Sequence, residues 1–256
     1  MPLLEVRGLR RHFGGLAAIS DLSFEVEKGE ILGMIGPNGA GKTTTFNLIT
    51  GVYVPTAGQV RFKGEDITGL RSCKVAEKGI IRTWQVGNLF ADMTVLQSVT
   101  IGCHLGGEIS LWKAIANRAA VRKKENDVRE KAMRILDLMG ITGLKEALTK
   151  HLPHGFQRRL GIAIALGADP ELLLLDEPIS GMNPEETRET MALVKKLNKE
   201  GLTILLVEHN MRVVMDTCDR IFVLYYGKKI AEGRPQEIAQ NPEVIQAYLG
   251  GAVTVA

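Results

Sequence analysis

The segment Gly36–Thr43 constrains the fold of this chain more than any other part of its sequence. It reads GPNGAGKT and matches the pattern G-x-x-x-x-G-K-[ST] at every position. The apolar run Ile31–Ile35 before it is typical of a buried parallel strand, and Thr43–Thr50 is typical of a helix. A glycine-rich loop between a strand and a helix turns backbone N–H groups toward phosphate oxygens. We therefore predict that this loop binds the phosphates of a nucleotide.

The residues of the loop have different expected roles. Lys42 is expected to bridge the β- and γ-phosphates of ATP, and the hydroxyl of Thr43 to ligate Mg²⁺. A chance glycine turn before a helix is the competing interpretation, which the flanking strand and helix disfavour. ATP and Mg²⁺ are therefore the predicted cofactors. The expected nucleotide-binding residues of this segment are Gly36, Pro37, Asn38, Gly39, Ala40, Gly41, Lys42, Thr43 and Thr44.

A second polar cluster follows the most apolar segment of the chain. Leu172–Leu175 is a run of four leucines, which we interpret as a fully buried strand, and it leads directly into Asp176 and Glu177. Burying carboxylates is costly, and a metal at the carboxyl end of a strand in an open α/β sheet can compensate. We expect Asp176 to hold Mg²⁺ through water and Glu177 to act as general base on the attacking water. A solvated acidic turn is the alternative.

Strand and helix patterns alternate along the rest of the chain, except in one region. From about Phe90 to Leu166 strand signals disappear, and Glu125–Met139 has the apolar stripe of an amphipathic helix. Alternating strands and helices indicate an α/β fold with a mainly parallel sheet, interrupted here by an inserted helical subdomain. The further predicted elements are strands at Leu3–Arg7, Leu22–Val26, Gly58–Lys63, Leu202–Val207 and Arg220–Leu224, and a helix at Pro184–Glu200.

Composition narrows the classes of function. With 256 residues, 45% of them apolar, the chain can form one large domain or a domain with a subdomain. A net charge of +3 argues against a dedicated nucleic-acid binder. Cys73, Cys103 and Cys218 are far apart and odd in number, which fits a reducing cytosol. No apolar run approaches the roughly 20 residues of a membrane span, so we expect a protein that can dock on a membrane without crossing it.

Together these motifs resemble Walker A and Walker B of the ATP-binding subunits of ABC transporters, and the resemblance covers nearly the whole chain. Gln85, in RTWQ, is similar to the Q-loop glutamine, which contacts Mg²⁺ and links the core to the helical subdomain. His209, in VEHN, is similar to the switch histidine near the γ-phosphate. Ser180–Asn183 resembles the D-loop, and Phe13 lies where the family has an aromatic residue that stacks on adenine. The resemblance implies catalytic roles for Glu177, His209 and Gln85.

The same resemblance implies how the domain is organised. One ABC ATP-binding domain would comprise residues 1–256, with a P-loop NTPase core and a mainly parallel sheet. Residues 1–89 and 167–256 would form this α/β core together with an N-terminal antiparallel β subdomain. Residues 90–166 would form the inserted α-helical subdomain, which carries the family's signature region.

The signature motif, LSGGQ in the family, is altered in this chain. The aligned stretch Leu152–Arg159 reads LPHGFQRR, in which Pro153 replaces the serine, Phe156 replaces the glutamine and His154 is a further departure. Gly155 is retained. Family members act as head-to-tail dimers, in which this motif closes over ATP held by the other subunit, so Gly155 and the helix dipole can still face a phosphate. Two interpretations stay open, slower hydrolysis through weaker closure or ordinary subfamily variation.

The C-terminal segments Gly233–Ile238 and Val244–Gly250, and Asn183 within Ser180–Pro184, resemble the branched-chain amino acid (Leu/Ile/Val) import subunits. This implies an ATPase on the cytoplasmic face of the inner (cell) membrane that powers transmembrane permease subunits. Its partners would be those permeases, a second ATP-binding subunit in a homodimer or heterodimer and, indirectly, a periplasmic or extracellular solute-binding protein, with no nucleic acid.

Val86–Met93, with Leu89 and Phe90, is the candidate contact with the permease, although these two side chains can equally belong to the subdomain core. The alternative functions are import of urea or other amides, and a soluble ABC ATPase that is not coupled to transport. A P-loop kinase or GTPase would need an acceptor site or a guanine-reading motif, and the sequence contains neither.

Overall fold

The computed structural model of the chain describes residues 1–83, 90–104 and 118–249. Gln85 and most of the candidate permease contact, Val86–Leu89, lie outside the described residues. The strands are β1 (Leu4–Phe13), β2 (Leu16–Val26), β3 (Ile31–Ile35), β4 (Ala57–Phe62), β5 (Glu65–Asp66), β6 (Ile80–Arg82), β7 (Leu172–Asp176), β8 (Thr203–Val207), β9 (Arg220–Tyr225) and β10 (Lys228–Gly233). The α-helices are α1 (Lys42–Ile49), α2 (Ser72–Glu77), α3 (Val95–His104), α4 (Arg118–Leu138), α5 (His154–Gly167), α6 (Pro184–Lys199), α7 (Met211–Thr217), α8 (Pro235–Gln240) and α9 (Pro242–Leu249).

A six-stranded sheet positions the predicted site. Its strand order is β10-β9-β3-β8-β7-β6, and every neighbouring pair is parallel except β9 with β10. The apolar runs predicted as central strands are buried along their whole length, as strands covered on both faces require. Leu172–Leu175 are each 0% exposed. The predicted α/β fold with a mainly parallel sheet is thus observed.

A second, antiparallel sheet has the order β2-β1-β4-β5. In β1 and β2 buried and exposed residues alternate, with Leu4 paired to Val26 and Val6 to Phe24. The strands predicted at Leu3–Arg7 and Leu22–Val26 extend much further, because the hairpin closes only at the next glycines, 14 and 15. Register shifts interrupt the alternation in the added part, which hid it from the sequence pattern.

The chain divides into two compact units. The first comprises residues 1–82, 171–177 and the described part of 194–256, and contains both sheets. The second comprises the described parts of 83–170 together with 178–193, and is built around α3, α4 and α5. In α4 the predicted apolar stripe is buried at Ala132, Ile135 and Leu136. Of the helices described, none has the length and apolar character to cross a bilayer.

Candidate nucleotide-binding site

The phosphate-binding loop leaves β3 at Gly36 and enters α1 at Lys42. Gly36 has φ +154°, and a Cβ atom there would lie 2.2 Å from the carbonyl oxygen of Leu224, so only glycine fits. Gly41 is the N-cap of α1 with φ +109°, and it makes no side-chain capping hydrogen bond. The first-turn N–H groups of α1 are therefore available to an anion, and the positive end of the helix dipole adds to their attraction.

Two neighbouring segments fix the position of this loop. The N–H of Gly227, in the turn between β9 and β10, donates to the carbonyl of Ala40 at 2.9 Å. The N–H of Ser20 in β2 donates to the carbonyl of Gly227 at 2.8 Å. A Cβ atom at Gly227 would lie 2.5 Å from the carbonyl oxygen of Ala18, so the close approach of these three segments also depends on a glycine.

Lys42 is buried beneath the loop. Its Nζ donates to the carbonyl oxygens of Gly36 at 2.6 Å and Pro37 at 3.1 Å. Burial lowers the pKa of Lys42, because desolvation disfavours the charged ammonium, and the carboxylates of Glu177 and Asp176 partly oppose this effect. The ammonium group is held by weak neutral acceptors, which phosphate oxygens can replace.

A pocket of about 290 Å³ opens over the loop, and its lining combines apolar and polar residues. Leu16, Ala17, Ala18 and Tyr226 contribute the apolar and aromatic side chains. A pocket of this mixed character can accept a ligand that has both a flat ring and phosphates. The rest of the lining consists of Asn38, Gly39, Ala40, Gly41, Lys42, Thr43, Thr44, Glu177 and His209.

The aromatic residues around this pocket differ from the sequence expectation. The ring of Phe13 packs edge-on against Tyr53, with centroids 5.3 Å apart, and the Arg11 guanidinium lies 4.6 Å above it. Leu16, which pairs with Phe13 across the hairpin, lines the pocket instead. Tyr226 was not predicted, because nothing in the sequence places the segment after β9 beside the loop. Its backbone has φ +44° and its side chain is 75% exposed.

The carboxyl ends of β7 and β8 bring together two of the predicted catalytic residues. Asp176 pairs with Val207, and the N–H of Glu177 donates to the Val207 carbonyl at 2.9 Å. His209 Nε2 lies 2.6 Å from Glu177 Oε1. Glu177 has φ +48°, a conformation that costs a non-glycine residue energy and that concentrates at functional sites. Thus both side chains face the pocket from adjacent strand ends.

Asp176 has a partner that the sequence did not indicate. Its Oδ2 accepts from an Arg82 guanidinium nitrogen at 2.6 Å. A second guanidinium nitrogen of Arg82 donates to Asn47 Oδ1, also at 2.6 Å. Residues 82 and 176 are 94 positions apart, and only the alignment of β6 beside β7 makes them neighbours.

Thr43 in the pocket lining and Asp176, the neighbour in sequence of the lining residue Glu177, form a donor set that fits Mg²⁺. Thr43 offers an exposed hydroxyl and Asp176 a half-buried carboxylate. Within the described parts of the chain, no three His, Cys, Asp or Glu side chains are grouped closely enough to hold a metal ion by themselves. Mg²⁺ typically takes one or two protein ligands and completes its shell with substrate phosphates and water, so this sparse set is sufficient.

The altered signature lies in the second unit. Pro153 is the N-cap of α5, and a Cβ atom at Gly155 would lie 2.8 Å from Glu186 Oε1. Phe156 is half-buried, with its ring 5.8 Å from the guanidinium of Arg159 on the same helix. At this position the chain thus presents an aromatic ring packed on its own helix, where the family has a hydrogen-bonding amide.

The family model for the ABC transporter matches residues 19–180. The chain belongs to the ABC transporter family. The model for the branched-chain amino acid ATP-binding cassette transporter also matches, at residues 228–254. These matches confirm the family predicted from the Walker motifs, and the second falls on the C-terminal segments that prompted the subfamily resemblance.

Individual ABC proteins match over nearly their full length. The high-affinity branched-chain amino acid transport ATP-binding protein BraF of Pseudomonas aeruginosa is 42% identical over 98% of this chain and 99% of its own. LivG of Salmonella typhimurium, which has the same description, is 41% identical over the same shares. The crystal structure of MJ1267, an ATP-binding cassette of an ABC transporter in its ADP conformation, has a TM-score of 0.86 at 32% identity, over 98% of this chain and 99% of that one. The predicted ABC ATPase fold is therefore confirmed.

Proposed function

We propose that this chain is the ATP-binding and ATP-hydrolysing subunit of an ABC importer for branched-chain amino acids. The observation that carries the proposal is the pocket over the loop, where Lys42, Glu177 and His209 meet. The transported solute is inferred from the relatives BraF and LivG, whose names describe branched-chain amino acid transport, and from the matching C-terminal segment.

The residues of the pocket divide the chemistry between them. The loop N–H groups and Lys42 bind the phosphates of ATP, with the ammonium group exchanging its carbonyl partners for phosphate oxygens. Thr43 and Asp176 would hold Mg²⁺, which supplies charge neutralisation at the phosphates when it is bound. Glu177 accepts a proton from the attacking water, and His209 orients that carboxylate through the 2.6 Å contact. Gln85 keeps the role at the metal that the family resemblance implies, while Leu16 and Tyr226 rather than Phe13 line the pocket proposed for adenine.

The partners follow from the same proposal. Residues 1–256 act as one ABC domain at the cytoplasmic face of the cell membrane, where it binds permease subunits. A second ATP-binding subunit, identical or paralogous, presents its signature to ATP bound here, and Gly155 of this chain serves the ATP of that subunit. The solute-binding protein contacts the permease and not this chain.

Uptake by cells that carry variants of this chain tests the proposal. With Glu177→Gln we expect uptake of labelled leucine, isoleucine and valine to fall to the level of a strain lacking the gene, while urea uptake is unchanged. Cys73→Ser, a substitution at an exposed residue outside the pocket, is the matched control and should keep normal uptake. Loss of urea uptake alone would replace the proposed solute with an amide. No loss of either would favour an ABC ATPase not coupled to transport.

A further inference from the structure

Arg82 is the last residue of β6, the edge strand of the six-stranded sheet, and its side chain is 6% exposed. Its guanidinium binds the proposed Mg²⁺ ligand Asp176 and also Asn47 on α1. We propose that Arg82 is a positioning residue, which holds Asp176 in the orientation that Mg²⁺ requires. The inference rests on the proposed Mg²⁺-dependent function of the pocket, and it adds a residue outside the Walker motifs.

The contacts of Arg82 join the two elements that supply the proposed metal ligands. Asp176 lies at the carboxyl end of β7, and Thr43 lies in the first turn of α1. Asn47 lies one helical turn after Thr43 on the same helix. The Arg82 guanidinium spans from one element to the other with two hydrogen bonds of 2.6 Å, and it also lies 5.4 Å from the ring of Phe46. The strand end and the helix are therefore linked through one side chain.

The geometry requires an arginine at this position. The planar guanidinium donates in two fixed directions, whereas an ammonium group is a point charge that cannot bind two separated acceptors with the same planar geometry. The pair is largely withdrawn from water, because the Asp176 side chain is only 23% exposed. The guanidinium is fixed at its other side by Asn47, so its hydrogen bond to Oδ2 sets the direction in which the Asp176 carboxylate points. Arg82 thus keeps Asp176 oriented.

A positive group beside a metal site also repels the metal, so the two effects of Arg82 must be weighed. The guanidinium is paired with the Asp176 carboxylate, and their opposite charges largely cancel at the proposed metal position. Loss of Arg82 would, in contrast, change the orientation of Asp176 directly. Removing a residue that orients a metal ligand typically lowers metal affinity by about 10–100-fold. We therefore infer that orientation outweighs repulsion and that loss of Arg82 weakens Mg²⁺ binding.

The experiment measures the binding of a fluorescent ADP analogue by the full-length chain as Mg²⁺ is varied, with EDTA as the metal-free reference. For Arg82→Met we expect the Mg²⁺ concentration for half-maximal enhancement of binding to rise about tenfold. Affinity in EDTA should stay at the wild-type value, because the phosphate-binding N–H groups and Lys42 are intact. Arg82→Lys should give an intermediate value. A purely structural role would lower the melting temperature without changing the dependence on Mg²⁺.

Arg220→Met is the matched control. Arg220 pairs with Glu30 and Glu232 in the same unit, but at the start of β9 rather than at the carboxyl ends of the strands. This variant should be less stable and keep the wild-type dependence on Mg²⁺. If Arg82→Met does not fold, Asn47→Leu, which removes only the link to α1, should raise the Mg²⁺ requirement in the same direction as Arg82→Lys.

Asp176→Asn separates failure of this inference from failure of the proposed function. Because Arg82 acts through Asp176, the variant carrying both Arg82→Met and Asp176→Asn should match Asp176→Asn alone. If Asp176→Asn itself has the wild-type dependence on Mg²⁺, the proposed metal site is wrong. If it loses that dependence while the Arg82 and Asn47 variants retain it, only the role given to Arg82 is overturned.

Discussion

Lys42 has a buried ammonium group within the phosphate-binding loop, and burying this charge carries a desolvation cost. Two loop carbonyls satisfy the ammonium group, and burial still lowers its pKa. A ligand with negatively charged oxygens forms stronger hydrogen bonds with this ammonium group than the neutral carbonyls do, so the loop favours phosphates. The sequence pattern predicted a phosphate-binding role for Lys42 but not these contacts, because they depend on how the backbone folds between Gly36 and Gly41.

Glu177 is predicted to be the general base, and its replacement tests that role directly. Glu177→Gln keeps the size of the side chain but removes the group that accepts the proton. We expect the rate of ATP hydrolysis to fall by about 10²–10⁴-fold, while ATP binding, measured by equilibrium fluorescence, is retained. Glu171→Gln is the matched control, since Glu171 precedes the same strand and pairs with exposed Lys63. A turnover that survived Glu177→Gln would assign the proton to another group.

The three cysteines should differ strongly in reactivity. Cys73 is exposed, whereas Cys103 and Cys218 are buried. Burial raises the pKa of Cys218 to about 12, and it raises the pKa of Cys103 as well. The thiolate is the reactive form, and a raised pKa keeps a thiol protonated, so Cys103 and Cys218 should react slowly even at about pH 9.

Mass spectrometry after brief treatment with a maleimide measures this difference. One label per native chain, on Cys73, is expected, and three labels after unfolding in urea. Rapid labelling of Cys218 in the native protein would show that the β3–β9 region opens far more readily than its packing indicates, since the Cys218 Sγ lies close under Gly33 of β3.

At the scale of elements, the sequence predicts the strands that are continuous apolar runs, but it does not predict the short strands β5 and β6. β3, β7 and β8 were predicted because strands buried on both faces must be apolar throughout. In contrast, β5 has two exposed residues, and β6 has three residues, the last of which is an arginine. Nothing local marks them as strands. The pairing of Arg82 with Asp176 could not be predicted for the same reason, because it depends on recognising β6 as the neighbour of β7.

The start of α6 is stabilised by a reciprocal cap. Asn183 Oδ1 accepts from the N–H groups of Glu185 and Glu186 at 2.9 Å, and the Glu186 carboxylate accepts from the N–H of Asn183 at 3.0 Å. We expect Asn183→Ala to cost about 1 kcal/mol of stability. For a chain of this size that lowers the melting temperature by about 2–4 °C.

Circular dichroism during thermal unfolding measures the effect of the cap. Asn183→Asp, which keeps a side-chain oxygen at the N-cap, is the control. It should melt within a degree or so of the wild type, because aspartate caps helices as well as asparagine does. Equal melting temperatures for Asn183→Ala and the wild type would mean that the cap is not maintained in solution.

At the scale of the whole molecule, the two halves of the chemistry belong to different compact units. The phosphate-binding loop, Asp176, Glu177 and His209 are in the first, and the altered signature is in the second. In the proposed head-to-tail pair each signature serves the ATP of the other subunit. The altered signature would therefore affect assembly with ATP rather than binding of ATP by the single chain. The sequence showed the departure but not its structural consequence, because the packing of Phe156 on Arg159 appears only in the fold.

Association in the presence of ATP tests whether Phe156 weakens closure of the pair. The comparison is made in the Glu177→Gln background, where bound ATP is expected to persist, by light scattering after size-exclusion chromatography. Adding Phe156→Gln restores an amide that can bind a phosphate, and one hydrogen bond to a charged group is worth about 1.5–3 kcal/mol. We expect self-association with ATP to become at least about tenfold tighter, since 1.4 kcal/mol corresponds to tenfold in affinity. With ADP, which lacks the γ-phosphate, the two proteins should remain alike. If the two proteins associate equally with ATP, Phe156 is ordinary variation. If both also associate tightly, the serine that Pro153 replaces is dispensable for closure as well.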